Sequence, residues 1–218
     1  TLTFGSETRR VVSVAPTYGT AAGIARRNGY QLTEVPVDSQ FGLDLDAIAD
    51  AADGAGMVFV CNPNNPTGTV HTASDIESFV RRVKRSSPDT AILIDEAYID
   101  YALDDPAVKT AVPLAMEYPG VFVTRSFSKA HGIAGLRLGY AVGQADTVRA
   151  INQSWGLGSV NTLTAAAGIT SLTDTAHLAD ERRENARVRD FTLSAFRDMG
   201  VEPTNSKTNF VFVNIRRP

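Results

Sequence analysis

Apolar residues in this chain come as short unbroken runs separated by amphipathic stretches. Met57-Val58-Phe59-Val60-Cys61, Ala91-Ile92-Leu93-Ile94 and Val121-Phe122-Val123-Thr124 show no polar alternation, which is the pattern of strands covered on both faces. They end roughly thirty residues apart, the length of a strand–helix–strand crossover. Between the first two, Ile76, Phe79, Val80 and Val83 fall at i, i+3, i+4 and i+7, one face of a helix, and Ser74-Asp75-Ile76-Glu77 reads as its capping box. Arg81, Arg82, Lys84 and Arg85 crowd its last turns, where the helix dipole favours cations, and read as a solvated helix end. Upstream, 17–28 reads as a short helix closed by Gly29, 32–37 as a strand and 44–52 as a helix. Downstream, 173–199 reads as a long charged helix with Val188, Phe191, Ala195 and Met199 on one stripe, stopped by Gly200, and 209–215 alternates like an edge or antiparallel strand. The pattern predicts an α/β fold: a mainly parallel sheet sandwiched by helices, then the start of a smaller α+β unit.

The chain has 218 residues, and at about 150 residues per domain this allows one large domain and part of another. Its 43% hydrophobic and 21% charged residues are ordinary for a folded domain and argue against disorder. A net charge of −3 without a long basic run advertises no surface for nucleic acid or anionic membrane and turns attention to small molecules. The single cysteine, Cys61, excludes an internal disulfide. No apolar stretch reaches the roughly 20 residues that span a bilayer. A cytoplasmic protein is expected; an export signal removed from upstream would leave no trace in this sequence. Because the chain starts at Thr1 without Met and stops at Pro218 just after the strand-like Phe210-Val211-Phe212-Val213, a fragment is expected.

In open α/β sheets, ligands bind beyond the carboxyl ends of the strands. The first of the three runs is followed by Asn62-Pro63-Asn64-Asn65-Pro66-Thr67-Gly68, the second by Asp95-Glu96-Ala97-Tyr98, and the third by Arg125-Ser126-Phe127-Ser128-Lys129 and then Gly132, Gly135, Arg137 and Gly139. Singly, Asn65 and Asp95 are ordinary turn residues and Lys129 an ordinary surface lysine. Together they bring an amide, a carboxylate with a phenol, and a lysine with hydroxyls to one rim. A buried carboxylate needs a cationic partner or hydrogen-bond donors, a lysine amine can attack a carbonyl, and Ser126, Ser128 and Arg137 suit a phosphate. Asn65 and Tyr98 remain for a phenolic oxygen. One molecule with an aldehyde, a phosphate, a protonated ring nitrogen and a phenolic oxygen is pyridoxal phosphate. His71 and His177 have no partners at metal-ligand spacing, so no metal is expected. Cys61 reads as core, and His131 as a packing or orienting residue. Trp155 suits either the site mouth or the core.

Asn65-Pro66-Thr67-Gly68, Asp95-x-x-Tyr98 and Ser126-x-Ser128-Lys129-x-x-Gly132-x-x-Gly135-x-Arg137-x-Gly139-Tyr140 resemble the class I/II pyridoxal-phosphate aminotransferases of fold type I. Cys61 to Gly68 and Gly135-Leu136-Arg137-Leu138-Gly139-Tyr140 are most similar to the histidinol-phosphate aminotransferase group. The resemblance implies that Lys129 forms the imine link to the cofactor and moves the proton. It implies that Asp95 pairs with the ring nitrogen, that Asn65 and Tyr98 bond the phenolic oxygen, and that Tyr18 stacks on the ring. Ser126, Ser128 and Arg137 would hold the phosphate. It further implies a homodimeric enzyme of amino-acid biosynthesis that moves an amino group between an amino acid or amino-alcohol phosphate, histidinol phosphate first among them, and 2-oxoglutarate or glutamate. An amino-acid-phosphate decarboxylase of the same superfamily and a non-catalytic truncated fragment stand as alternatives. On this reading 1–150 is most of the cofactor-binding domain, 151–200 the connecting helices and 201–218 the start of the small domain. Gly5-Ser6-Glu7 looks like the family's small-residue phosphate loop, but too few residues separate it from Tyr18. That loop is expected before Thr1, and the arginine that clamps the substrate carboxylate after Pro218.

Overall fold

A computed structural model describes residues 1–155 and 158–215, except for the side chain of Trp155. The two readings of Trp155 and the last three residues of the predicted small-domain start therefore lie outside the described part. The chain builds one six-stranded sheet in the order β2-β1-β3-β4-β5-β6 from β1 (Val11–Ala15), β2 (Leu32–Pro36), β3 (Met57–Cys61), β4 (Ala91–Asp95), β5 (Val121–Ser126) and β6 (Gly139–Gly143). The first five are parallel, so their carboxyl ends share one edge, and β6 runs antiparallel to β5 with Gly139 opposite Ser126. The three unbroken apolar runs are β3, β4 and β5, neighbours at the centre.

Successive side chains on a strand point to opposite faces, and the core divides accordingly. Val58, Val60, Ile92, Ile94, Val121 and Val123 pack on one face against α2 (Leu45–Ala51), α3 (Ala73–Ser86) and α4 (Val112–Glu117). Met57, Phe59, Cys61, Ala91 and Phe122 pack on the other, against α1 (Thr20–Arg27) and Ile151 of α5 (Ala145–Trp155). Burial on both faces is why these strands show no alternation. Two helices follow: α6 (Thr162–Thr173) and α7 (Thr175–Asp198).

Several expectations are corrected. The capping box of α3 sits two residues earlier than predicted: Thr72 accepts from the Asp75 amide while Asp75 accepts from the Thr72 amide. The basic cluster does lie at a solvated helix end, with Arg81 and Arg85 exposed, and it is also engaged there: Arg81 pairs with Glu77, Arg82 with Asp46 and Asp50, and Lys84 Nζ donates to the carbonyls of Pro88 and Thr90 at 2.6 and 2.9 Å. The stripe on α7 is not its buried face, because Val188, Phe191 and Met199 are exposed while Arg189 and Leu193 are covered. Residues 209–215 form no strand, only the isolated bridge Pro203–Val213. β1 and β6 carry no element in the sequence reading, yet β1 forms the switch in strand order on which the site depends.

Candidate functional site

The chain leaves β1 and β3 side by side, with β2 on one flank and β4 and β5 on the other. Such a reversal opens a crevice beyond the carboxyl ends of the strands. Asn64 stitches its floor: Nδ2 donates to the Pro16 carbonyl at 3.1 Å and to Thr67 Oγ1 at 2.9 Å, and Oδ1 accepts from the Thr17 hydroxyl at 2.6 Å. Tyr18 and Asn65 therefore follow directly from two segments locked together. Tyr18 leaves half its surface exposed at the mouth. This anchoring role of Asn64 was not foreseen, although three asparagines interleaved with Pro63 and Pro66 in a largely buried loop signal such bonding.

Asp95 ends β4, level with Cys61 on β3 and Thr124 on β5. Its Oδ1 accepts from the Ala97 amide at 3.1 Å and the Thr124 hydroxyl at 3.3 Å. Burial raises its pKa; these two hydrogen bonds, and beyond them Lys129, oppose the rise. Lys129 Nζ lies 4.8 Å from the centre of the Tyr98 ring. Tyr98 Oη accepts from Asn65 Nδ2 at 3.4 Å, and Phe210 meets the same ring edge-on at 5.0 Å. Asn65, Asp95, Tyr98 and Lys129 thus come together from three adjacent strands.

The predicted phosphate group is more spread out. Ser126 Oγ accepts from the Ser128 amide at 3.1 Å, which tightens the turn leading to Lys129. Arg137 has a left-handed backbone, φ 52°, and donates to the Ala134 carbonyl at 2.9 Å with its side chain exposed. It stands two residues before Gly139, the register partner of Ser126. Gly5 and Ser6 precede β1 and fall at the opposite edge of the sheet, which agrees with setting them aside as a phosphate loop.

Glu96 and Arg125 were passed over in the sequence. Glu96 is 2% exposed, and it accepts from Arg125 Nε at 2.9 Å, the Thr110 hydroxyl at 2.8 Å and the Ala111 amide at 2.6 Å. Burial raises its pKa and Arg125 opposes the rise. Arg125 also reaches Asp100 at 3.5 Å. Two consecutive carboxylates at a strand end, which must face opposite sides, were the available signal.

His131 is buried, its Nδ1 2.7 Å from Ser171 Oγ and its ring against Phe127, consistent with packing. Cys61 is buried in the core, and burial pushes its thiol pKa upward. Among the described residues no group of three or more His, Cys, Asp or Glu side chains could hold a metal ion, and no helix is long and apolar enough to cross a membrane.

The donor set fits pyridoxal phosphate: a half-engaged carboxylate, an amine over a phenol and an amide on that phenol's oxygen. The family model for aminotransferase class I and II matches residues 1–218. A histidinol-phosphate aminotransferase from Symbiobacterium thermophilum is 34% identical over 210 residues, 96% of this chain and 56% of the relative. An aromatic amino acid aminotransferase from Mycobacteroides abscessus is 38% identical over 192 residues, 87% of this chain and 53% of the relative. Among solved structures, histidinol-phosphate aminotransferase from Sinorhizobium meliloti in complex with pyridoxal-5'-phosphate superposes with a TM-score of 0.87 at 28% identity, over 97% of this chain and 56% of that one. The chain spans a little over half the length of these relatives.

Proposed function

Because the chain belongs to the class I and II aminotransferase family, we propose that it forms the cofactor-binding part of a pyridoxal-phosphate-dependent aminotransferase. The observation that carries this reading is the convergence of Asn65, Asp95, Tyr98 and Lys129 at the switch in strand order. When bound, the cofactor supplies an electron sink for the charge left as the substrate α-carbon loses its proton. Lys129 would hold the cofactor through its side-chain amine and would serve as the base that moves the substrate's α-proton. Asp95 would keep the ring nitrogen protonated, a cationic partner for a half-buried carboxylate that otherwise meets only the Ala97 amide, the Thr124 hydroxyl and, at longer range, Lys129. Asn65 and Tyr98 would bond the phenolic oxygen, Tyr18 would cover the ring face, and Ser126, Ser128 and Arg137 would hold the phosphate.

The substrates proposed are an amino acid or amino-alcohol phosphate, histidinol phosphate first, with 2-oxoglutarate or glutamate as the other partner. The relative named for aromatic amino acids supports including phenylalanine in the same assay. We further propose a cytoplasmic homodimer, with 1–150 as most of the large domain, 151–200 as connecting helices and 201–218 as the start of a small domain. The test is cofactor uptake followed by visible absorbance. The chain is expected to bind pyridoxal phosphate with a shifted absorbance band that Lys129→Ala lacks. An identical spectrum in both would refute the assignment of Lys129.

A further inference from the structure

Asp95 and Glu96 are consecutive carboxylates at the end of β4, yet they meet opposite surroundings. Asp95 shares its face of the sheet with Leu93 and points toward Thr124, whereas Glu96 turns to the α4 side and meets Arg125. From these contacts and the cofactor reading above, we infer that the buried Glu96–Arg125 pair is a positioning device. It removes Glu96 from the competition for a cation and holds Asp95 and the Ser126–Lys129 turn at a set separation.

Arg125 is placed to do this. It lies immediately before Ser126, it bonds Glu96 next to Asp95, and it reaches Asp100 two residues beyond Tyr98. Across the sheet it is the register partner of Tyr140 on β6. One guanidinium therefore ties together the segments that carry Asp95, Tyr98 and Lys129. A planar fork with several fixed donors can do this, whereas a lysine can satisfy only part of it. Both Glu96 oxygens are also engaged by the Thr110 hydroxyl and the Ala111 amide, so the buried carboxylate is held from several sides, the condition under which a buried ion pair gives geometric definition.

The test titrates pyridoxal phosphate into the chain and into Arg125→Met, Arg125→Lys, Glu96→Gln/Arg125→Met and the core variant Ile92→Val, which takes part in none of the pair's hydrogen bonds, with urea midpoints in parallel. Arg125→Met is expected to weaken uptake about tenfold or more, the factor for one lost charge-assisted hydrogen bond, with partial recovery in Arg125→Lys. The acid limb of uptake against pH is expected to move to higher pH in Arg125→Met, because an unpaired Glu96 beside Asp95 favours its protonation. It is expected to return in the double variant, where charge is balanced, while affinity stays reduced because the tether is gone. Ile92→Val is expected to lose stability with neither change. Wild-type affinity in Arg125→Met, an unmoved acid limb, or an equal loss of affinity in Ile92→Val would overturn the inference and leave the cofactor reading standing. Should Arg125→Met fail to fold, Arg125→Lys and the double variant carry the same comparison. Absence of uptake by the unaltered chain would instead count against the cofactor reading itself.

Discussion

At the scale of single residues, the site keeps groups whose burial is unfavourable unless a ligand joins them. Asp95 has its pKa raised by burial, so its charged form is a cost to the folded chain. Asp95→Asn is expected to raise the urea midpoint of the cofactor-free chain at pH 7 while weakening cofactor uptake; a lowered midpoint would contradict this. His131 shows the opposite sign. Burial lowers its pKa below the ordinary value of 6.5, so the unfolded chain takes up the proton first and stability is lost as pH falls below about 6.5. His131→Gln retains a partner for Ser171, and the drop in urea midpoint between pH 7 and pH 5 is expected to shrink in it. The candidate residues themselves were legible in the sequence, because chemistry at strand ends needs particular side chains. Glu96 and Arg125 were not: their importance lies in which carboxylate the arginine meets, and residue spacing carries no such information.

At the scale of elements, β3, β4 and β5 announce themselves because burial on both faces demands unbroken apolar runs. β1 hides because Ser13 interrupts Val11, Val12 and Val14 although it is itself fully buried. β6 hides between Gly139 and Gly143, whose Cβ atoms would stand 2.9 Å from the Arg125 carbonyl and 3.2 Å from the Val121 carbonyl. The loop after β3 has a comparable constraint. Gly68 has φ +71°, and a Cβ there would meet Ser206 Oγ at 2.3 Å, while the Lys207 amide donates to the Gly68 carbonyl and the Thr204 hydroxyl to that of Thr67. Gly68→Ala is expected to cost at least about 1–2 kcal/mol from backbone strain alone, measured by urea unfolding. It should also loosen 204–207 from the loop, visible as faster amide exchange at Lys207. Unchanged stability and exchange would show that the approach is not tight in solution. The exposed stripe on α7 has a different lesson: helical periodicity identifies an apolar face without saying whether anything covers it.

At the scale of the whole molecule, segments far apart in sequence build one wall of the site. Leu178 of α7 and Phe210 pack with Tyr98, Tyr101 and Ala130, and Tyr101 donates to Glu181 at 3.3 Å. A chain ended at Ala150 is therefore expected to unfold at lower urea concentration than the 218-residue chain and to bind pyridoxal phosphate more weakly; equal values would show that these contacts contribute nothing. By itself the sequence determined the α/β class, the three central strands and the residues offered at their carboxyl ends, because burial and turn chemistry act locally along the chain. Only the tertiary structure decided the strand order that sets Tyr18 beside Asn65, the meeting of Glu96 with Arg125 and the docking of 204–210 on the site loop. Those depend on which segments become neighbours, a choice made by the packing of all the strands and helices together.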